Sequence, residues 1–208
     1  MSVVVDLERI SEWARETICS QISLKVPDDD HMDVDYEYET VNPNVYTLFV
    51  PNEDDLKKPA KSIAPYLAVQ VVGVEDDAKL SQRVYSIRFL LAAWNPGLHG
   101  AGDVLVYRKH TGQEDDYRVY YERTQSETFV ATDEGWRDAW NFLDLTLWAL
   151  ESFPLPDGLM LVRDEEIRSF PYQVDGDLVD CYPYFYNYVE FKVKTTLIRD
   201  MKAYQGFL

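Results

Sequence analysis

The chain has 208 residues, and its 37 Asp and Glu residues against 20 Lys and Arg residues give a net charge of −17. Apolar residues make up 46% of the sequence and aromatic residues 14%, which argues against a largely disordered acidic chain and is typical of one globular domain. Because so acidic a chain repels phosphate groups, we expect no sequence-specific nucleic-acid binding. No apolar run reaches the roughly 18 residues that span a bilayer, and the start lacks the pattern of a signal peptide, so we expect no membrane partner.

The first predicted element is a helix from about Asp6 to Ile22. Its apolar residues recur every three or four positions, which places them on one face of the helix. Asp6 is expected to cap the N-terminus. The residues of the apolar face are Leu7, Ile10, Ala14, Ile18 and Ile22.

An acidic segment follows this helix. From Asp28 to Asp55 the sequence holds ten Asp and Glu residues and no Lys or Arg. Two interpretations stay open: a solvated loop or edge strand that keeps the chain soluble, and a patch that meets basic residues across a subunit boundary. The calcium-loop pattern of glycine and glutamate is absent, so no metal is expected. The candidate interface residues of this segment are Asp28, Asp29, Asp30, Asp33 and Asp35.

Three strands are predicted next, at Val45–Val50, Tyr66–Val74 and Arg83–Ala93. The second is almost continuously apolar, which predicts a central strand buried on both faces. The third alternates, so that Tyr85, Ile87, Phe89 and Leu91 face one way.

The turn residues that begin at Asn95 end the third strand. Residues 95–133 are mostly polar and are interpreted as an insertion, either a β-hairpin or a long loop, and such segments are often functional. The candidate interface residues of the insertion are His110, Tyr117 and Tyr120.

A second helix is predicted from about Gly135 to Glu151, with Trp136 and Trp140 in the core. Leu159–Val162 is predicted as a strand and Glu166–Phe170 as a further candidate strand. The final strand, Tyr184–Leu197, alternates with Val189, Phe191 and Val193 toward the core. Its first tyrosines, Tyr184 and Tyr186, are candidate interface residues, because tyrosine buries much area while keeping a polar tip, and filling of the core is the other interpretation.

These elements predict an α/β chain of the α+β type. Residues 1–208 form one domain, with a mainly antiparallel sheet, two helices packed on one face of it, and the hairpin-like insertion at 95–133.

No pattern of catalytic residues is present. The three histidines (His31, His99 and His110) lack metal-ligand spacing, and neither a phosphate-binding loop nor a nucleophile elbow occurs. The two cysteines, Cys19 and Cys181, make no disulfide framework, although one bridge between them stays open. We therefore expect no enzyme and no cofactor.

Three segments carry a resemblance to a known family. They are Ile63-Ala64-Pro65-Tyr66-Leu67-Ala68-Val69-Gln70, Gly135-Trp136-Arg137-Asp138-Ala139-Trp140-Asn141 and Tyr182-Pro183-Tyr184-Phe185. In this order, between the N-terminal helix and the last strand, they resemble the small tail-completion proteins of long-tailed bacteriophages, including the tail terminators.

The resemblance implies a structural virion protein rather than a catalyst. Such a protein forms a ring of identical subunits, commonly a hexamer, that caps the tail tube and joins it to the head connector. The implied partners are other copies of the chain, the tail tube protein and the head connector protein. The implied location is the tail or neck of the virion, with assembly in the host cytoplasm.

A second hypothesis belongs to a different class of protein. The acidic run, with Tyr36 and Tyr38 among its carboxylates, is also typical of an acidic inhibitor or immunity-type protein that blocks a basic partner. A monomer that binds a basic protein in a salt-sensitive way would favour this hypothesis.

Overall fold

The computed structural model describes residues 2–27, 39–51, 63–77, 79–97 and 135–196, and the backbone alone of residues 98, 102–109, 119–126 and 130–131. Helix α1 covers Val3–Thr17 and is followed by a short 3₁₀ helix at Cys19–Gln21, and helix α2 covers Trp136–Ser152. Within these ranges, no helix is long and apolar enough to cross a bilayer.

The strands are numbered in chain order: β1 Leu24–Lys25, β2 Thr40–Val41, β3 Asn44–Thr47, β4 Tyr66–Asp77, β5 Gln82–Trp94, β6 Gly97–Leu98, β7 Gly102–Lys109, β8 Val119–Ser126, β9 Val130–Ala131, β10 Leu159–Leu161, β11 Arg168–Pro171, β12 Gln173–Val174, β13 Asp177–Leu178 and β14 Tyr184–Thr196.

Six of these strands form the main sheet. Its order is β10, β14, β5, β4 and β3, and β11 also pairs with β14. All pairs are antiparallel except β3 with β4, which is parallel. Strand β5 lies at the centre, where Phe89 pairs with Val69 of β4 on one side and with Val189 of β14 on the other. The predicted α+β fold with a mainly antiparallel sheet is confirmed.

The remaining strands form two-stranded antiparallel ribbons, β1 with β2, β6 with β9, β7 with β8, and β12 with β13. The β7–β8 and β6–β9 ribbons lie in or next to the range 95–133, which the sequence predicts as an insertion. Tyr120 lies in β8, opposite Arg108.

The helices cover one face of the sheet and form the main core with it. Alternate residues of β4, β5 and β14 point to this face, so the predicted alternation of β5 and β14 is confirmed. Each large apolar side chain buried here contributes about 1.5–3 kcal/mol to stability. The largest fully buried side chains of this core include Tyr85, Phe89, Phe142, Ile10, Ile18, Leu67, Ile87, Leu91, Leu143, Val69 and Val189.

The opposite face of the sheet carries a smaller aromatic cluster. Tyr66 and Trp94 are buried there, beneath the segment that contains Ile63 and Ala64. Tyr46, Tyr184 and Tyr186 pack against this cluster and are half-buried. The prediction that β4 is buried on both faces therefore holds for its first residues, whereas Val72 and Val74 further along the strand are exposed.

Local predictions about both helices are wrong. Trp136 and Trp140 were expected in the core, but their exposed fractions are 45% and 40%. Helix α2 is apolar around much of its circumference, so its periodicity alone leaves the buried side undetermined. The buried side is Ala139, Phe142, Leu143, Thr146, Ala149 and Leu150.

The wrong prediction for α1 concerns both of its ends. The helix begins earlier than expected, with Ser2 at the N-cap position, so Asp6 lies within the first turn and is buried there. It ends at Thr17 rather than at Ile22, and Cys19–Gln21 form a 3₁₀ helix instead.

Candidate functional site

A cavity of about 250 Å³ opens at the N-terminal end of α2. Three parts of the chain enclose it: the first turns of α2, the β12–β13 ribbon with the residues after it, and the first residues of β14. We call it the α2 cavity. Its wall is mostly apolar and includes Trp136, Trp140, Tyr172, Leu178, Val179 and Phe185.

Large apolar side chains surround the mouth of this cavity. Besides the two tryptophans, Leu178 is 70% exposed and Val179 is 38% exposed. We call these four residues (Trp136, Trp140, Leu178 and Val179) the tryptophan surface. Contiguous exposed apolar side chains of this kind are typical of an interaction site, since a solvated surface gains nothing from them.

One polar side chain in the cavity wall, that of Asn187, has a hydrogen-bond donor without an acceptor in the described part of the chain. Asn187 is 1% exposed, and its amide nitrogen Nδ2 has no hydrogen-bond partner among the described residues. Leaving a buried donor unpaired costs about 1–3 kcal/mol. The amide is therefore suited to donate to an acceptor group that enters the cavity.

Gly135 allows α2 to begin close to β14. A Cβ atom at this position would lie 2.5 Å from Cε2 of Phe185 and 2.6 Å from the carbonyl oxygen of Asn95. Only a residue without a side chain fits, so the glycine sets how closely the tryptophans approach the sheet.

A polar network supports the same end of α2. The Lys25 ammonium donates to Oδ1 of Asn95 at 2.8 Å, and Nδ2 of Asn95 donates to Oδ2 of Asp138 at 2.7 Å. Burial lowers the pKa of Lys25, and the nearby Asp138 carboxylate partly opposes that shift. The network joins β1, the end of β5 and the first turn of α2.

The candidate tyrosines of β14 border this site. The rings of Tyr184 and Tyr186 are stacked, with centroids 6.4 Å apart, and Tyr172 lies 6.0 Å from Tyr186. Both β14 tyrosines belong to the wall of the α2 cavity and also pack against the smaller aromatic cluster. Tyr184 and Tyr186 therefore both pack within the fold and line a surface, which are the two interpretations that the sequence left open.

The structure describes no side chain of the other predicted site residues. Tyr120 lies in β8, where only the backbone is described. The remaining candidates lie outside the described residues: Asp28, Asp29, Asp30, Asp33, Asp35, His110 and Tyr117.

The two cysteines are free thiols. Burial raises the pKa of Cys19 to about 12, an effect that the Arg15 charge only partly offsets, so Cys19 is an unreactive core residue. Cys181 is half-buried and belongs to the wall of the α2 cavity. Burial and the neighbouring Asp180 raise its pKa.

A second cavity, of about 530 Å³, lies beside β14 on the sheet face away from the helices. Two ion pairs involve its wall: Glu190 contacts Arg88, which lies outside the wall, at 2.6 Å, and Lys192 contacts Glu165 at 2.8 Å. Within the described ranges, no group of three or more His, Cys, Asp or Glu side chains is placed to hold a metal ion.

Sequence reasoning missed two residues. Asn187 lies in a run of tyrosines, and nothing in that pattern marks it as the polar group of an apolar cavity. Phe49 was placed inside the predicted strand Val45–Val50, but β3 ends at Thr47 and Phe49 is 78% exposed.

The site belongs to an α+β domain with an exposed aromatic surface and a small apolar cavity. No protein-family model matches this sequence, and no curated protein matches it.

Proposed function

We propose that this chain is a structural subunit of a phage tail, which assembles into a ring on the end of the tail tube and joins the tube to the head connector. The observation that carries the proposal is the tryptophan surface. Four large apolar side chains stand exposed together on one flank of the domain. A protein that assembles with copies of itself buries such a surface in its interface.

The size of the α2 cavity favours assembly over binding of a metabolite. Sites for small molecules usually measure about 300–1,000 Å³ and enclose most of the ligand. At about 250 Å³, the α2 cavity suits one or two side chains of a protein partner instead.

The β7–β8 ribbon provides a means of reaching a neighbour. Each of its strands has eight residues, which corresponds to a length of roughly 26 Å. The ribbon is not part of the main sheet, and we assign it to contacts with the adjacent subunit or with the tube.

The test is the native mass in solution, measured by light scattering after size exclusion at low and moderate salt, with negative-stain images of large species. We expect rings near six times the chain mass of 24.2 kDa. Trp140→Ser should shift the mass toward the monomer. Trp148→Ser is the matched control, because Trp148 is 51% exposed on the same helix but packs against Phe153, away from the α2 cavity.

A protein that stays monomeric at all concentrations and does not cap tail tubes would overturn the proposal. If that monomer bound a basic protein in a salt-sensitive way, the immunity-type hypothesis would replace it.

A further inference from the structure

We propose that the ring of Phe49 from one copy of this chain inserts into the α2 cavity of the next copy, head to tail. This inference rests on the proposed function, because it assigns the contact that joins neighbouring subunits of the ring.

Phe49 is held in an exposed position by a constrained turn. At 78%, its exposed fraction is the largest of any large apolar side chain in the described residues. The preceding Leu48 has a φ of 70°, which bulky residues rarely adopt. Hydrogen bonds from Leu48 N to Val69 O at 2.8 Å and from Phe49 N to Thr47 O at 2.9 Å hold this turn. Strained backbone of this kind is concentrated at functional sites.

The α2 cavity matches an inserted phenylalanine in size and in chemistry. A cavity of about 150 Å³ is enough to hold a benzene ring, and the α2 cavity measures about 250 Å³. The apolar wall contacts the phenyl ring. The buried amide of Asn187 donates a hydrogen bond to a main-chain carbonyl of the incoming segment, so that Nδ2 of Asn187 gains the partner that it lacks among the described residues of its own chain.

Phe49 and the cavity lie at opposite edges of the main sheet. Phe49 follows β3, the strand at one edge, whereas the cavity adjoins β11, which pairs with β14 at the other edge. A contact between two different surfaces of the same chain is heterologous, and repeated contacts of that type form a ring when the rotation between neighbours closes and an open filament when it does not.

Disulfide trapping tests the contact directly. In Phe49→Cys, the new thiol should form a bond with the native Cys181 of another copy when concentrated protein is oxidised with copper phenanthroline. Because each copy then carries both partners, a head-to-tail contact yields a ladder of linked chains on a non-reducing gel. Peptide mass spectrometry should find the bond at Cys181, and Cys19 should stay reduced because it is buried.

Two controls accompany the trapping. Leu80→Cys introduces a thiol at another highly exposed apolar position, in the turn between β4 and β5, and should give no ladder. Phe49→Cys combined with Cys181→Ser should also give none. A product that stops at the dimer, or a bond between two introduced thiols, would overturn the proposed contact. So would the absence of a product when the variant is oxidised well above about ten times the concentration at which the wild type associates, which offsets the loss of the ring.

The strength of association gives a second measurement. We expect Phe49→Ser to weaken self-association at least about tenfold, with Leu80→Ser unchanged. Asn187→Leu should also weaken association, while the urea midpoint of the isolated chain stays equal or rises, because a buried unpaired amide is removed.

The outcomes separate this inference from the proposed function. If the wild-type chain forms annular assemblies that Phe49→Ser and Asn187→Leu leave intact, the Phe49 contact is wrong and the proposed function is unaffected. If the wild-type chain forms no assembly on its own or on tubes, the proposed function is wrong. A ladder through Cys181 would then still support the contact between copies.

Discussion

The hydroxyl of Tyr85 donates a hydrogen bond of 2.6 Å to Oδ2 of Asp6, although the two residues are 79 positions apart in the chain. Both side chains are 1% exposed. Burial raises the pKa of Tyr85, and the bond to Asp6 raises it further, so the hydroxyl keeps its proton at neutral pH. The bond fixes the first turn of α1 to the centre of the sheet.

Removal of this hydroxyl should destabilise the fold. Tyr85→Phe leaves the buried Asp6 carboxylate without its donor, so we expect a loss of about 1–3 kcal/mol in the free energy of unfolding, measured by urea titration. The control is Tyr182→Phe, which removes the hydroxyl that donates to the Pro96 carbonyl at 2.6 Å. Tyr182 is 38% exposed, and water can replace its bond, so its loss should be smaller. Equal midpoints for Tyr85→Phe and the wild type would contradict the assigned role.

Gly135 gives a steric prediction. Gly135→Ala places a Cβ atom within 2.6 Å of the Asn95 carbonyl oxygen, which belongs to the backbone and has little freedom to move. We expect a loss of about 1–3 kcal/mol in thermal or urea unfolding, as for other overpacked positions. The matched control is Gly73→Ala on β4, where the nearest atoms, both of Ser86, lie at 3.6 Å, an ordinary contact. The prediction is wrong if the two variants are equally stable.

The Lys25–Asn95–Asp138 network predicts that Asn95 holds the end of α2. Asn95→Ala removes the side chain that bonds to both the half-buried Lys25 ammonium and the half-buried Asp138 carboxylate. We therefore expect the free energy of unfolding to fall by about 1–3 kcal/mol. Hydrogen exchange should increase in the first turn of α2. The comparison is Arg15→Ala, which removes an exposed pair with Glu12 and should cost at most about 1 kcal/mol. Unchanged exchange at α2 would show that the network does not support the helix.

Stability should fall at alkaline pH, and Tyr66 should account for part of the fall. Burial raises the pKa of Tyr66 above its ordinary value of 10.0. The folded state therefore keeps this proton where the unfolded chain has lost it, so the contribution is complete below about pH 10 and is lost as the pH rises further.

Tyr66→Phe removes this one titration. The urea midpoint of the variant should fall less steeply than that of the wild type between about pH 9 and about pH 11. The lowered pKa of Lys25 acts in the opposite direction, because its deprotonation favours the folded state, but Lys25 is present in both proteins and cancels in the comparison. If the urea midpoints of the variant and the wild type fall equally steeply over this pH range, Tyr66 does not account for part of the loss.

The predictions from sequence succeeded where structure depends on neighbouring residues. The long strands β5 and β14 were placed within one residue of their observed bounds, whereas helix α1 was predicted to run five residues beyond its end at Thr17. Their apolar residues alternate or recur with a period that one element imposes by itself. The strand at β3 was predicted too long, because the positive φ of Leu48 ends it and no glycine marks that turn.

The candidate site depends on contacts between distant segments. Asn187 lines a cavity because the first turns of α2 and the β12–β13 ribbon lie on either side of it. Nothing in the sequence of β14 indicates that these two segments pack there. Trp136 was assigned to the core for the same reason, since the side of α2 that meets the sheet is decided by packing against β5 and β14.

The sequence by itself determined the composition of the elements, the α+β class and the buried residues of the alternating strands, because these follow from the period of side chains along one helix or strand. Only the tertiary structure decided that Tyr85 meets Asp6, that Gly135 lies against Asn95, and that Phe49 and the tryptophan surface stay in solvent. The burial and hydrogen bonding of these residues depend on which distant segments of the chain pack together, and the pattern within one helix or strand does not specify its tertiary neighbours.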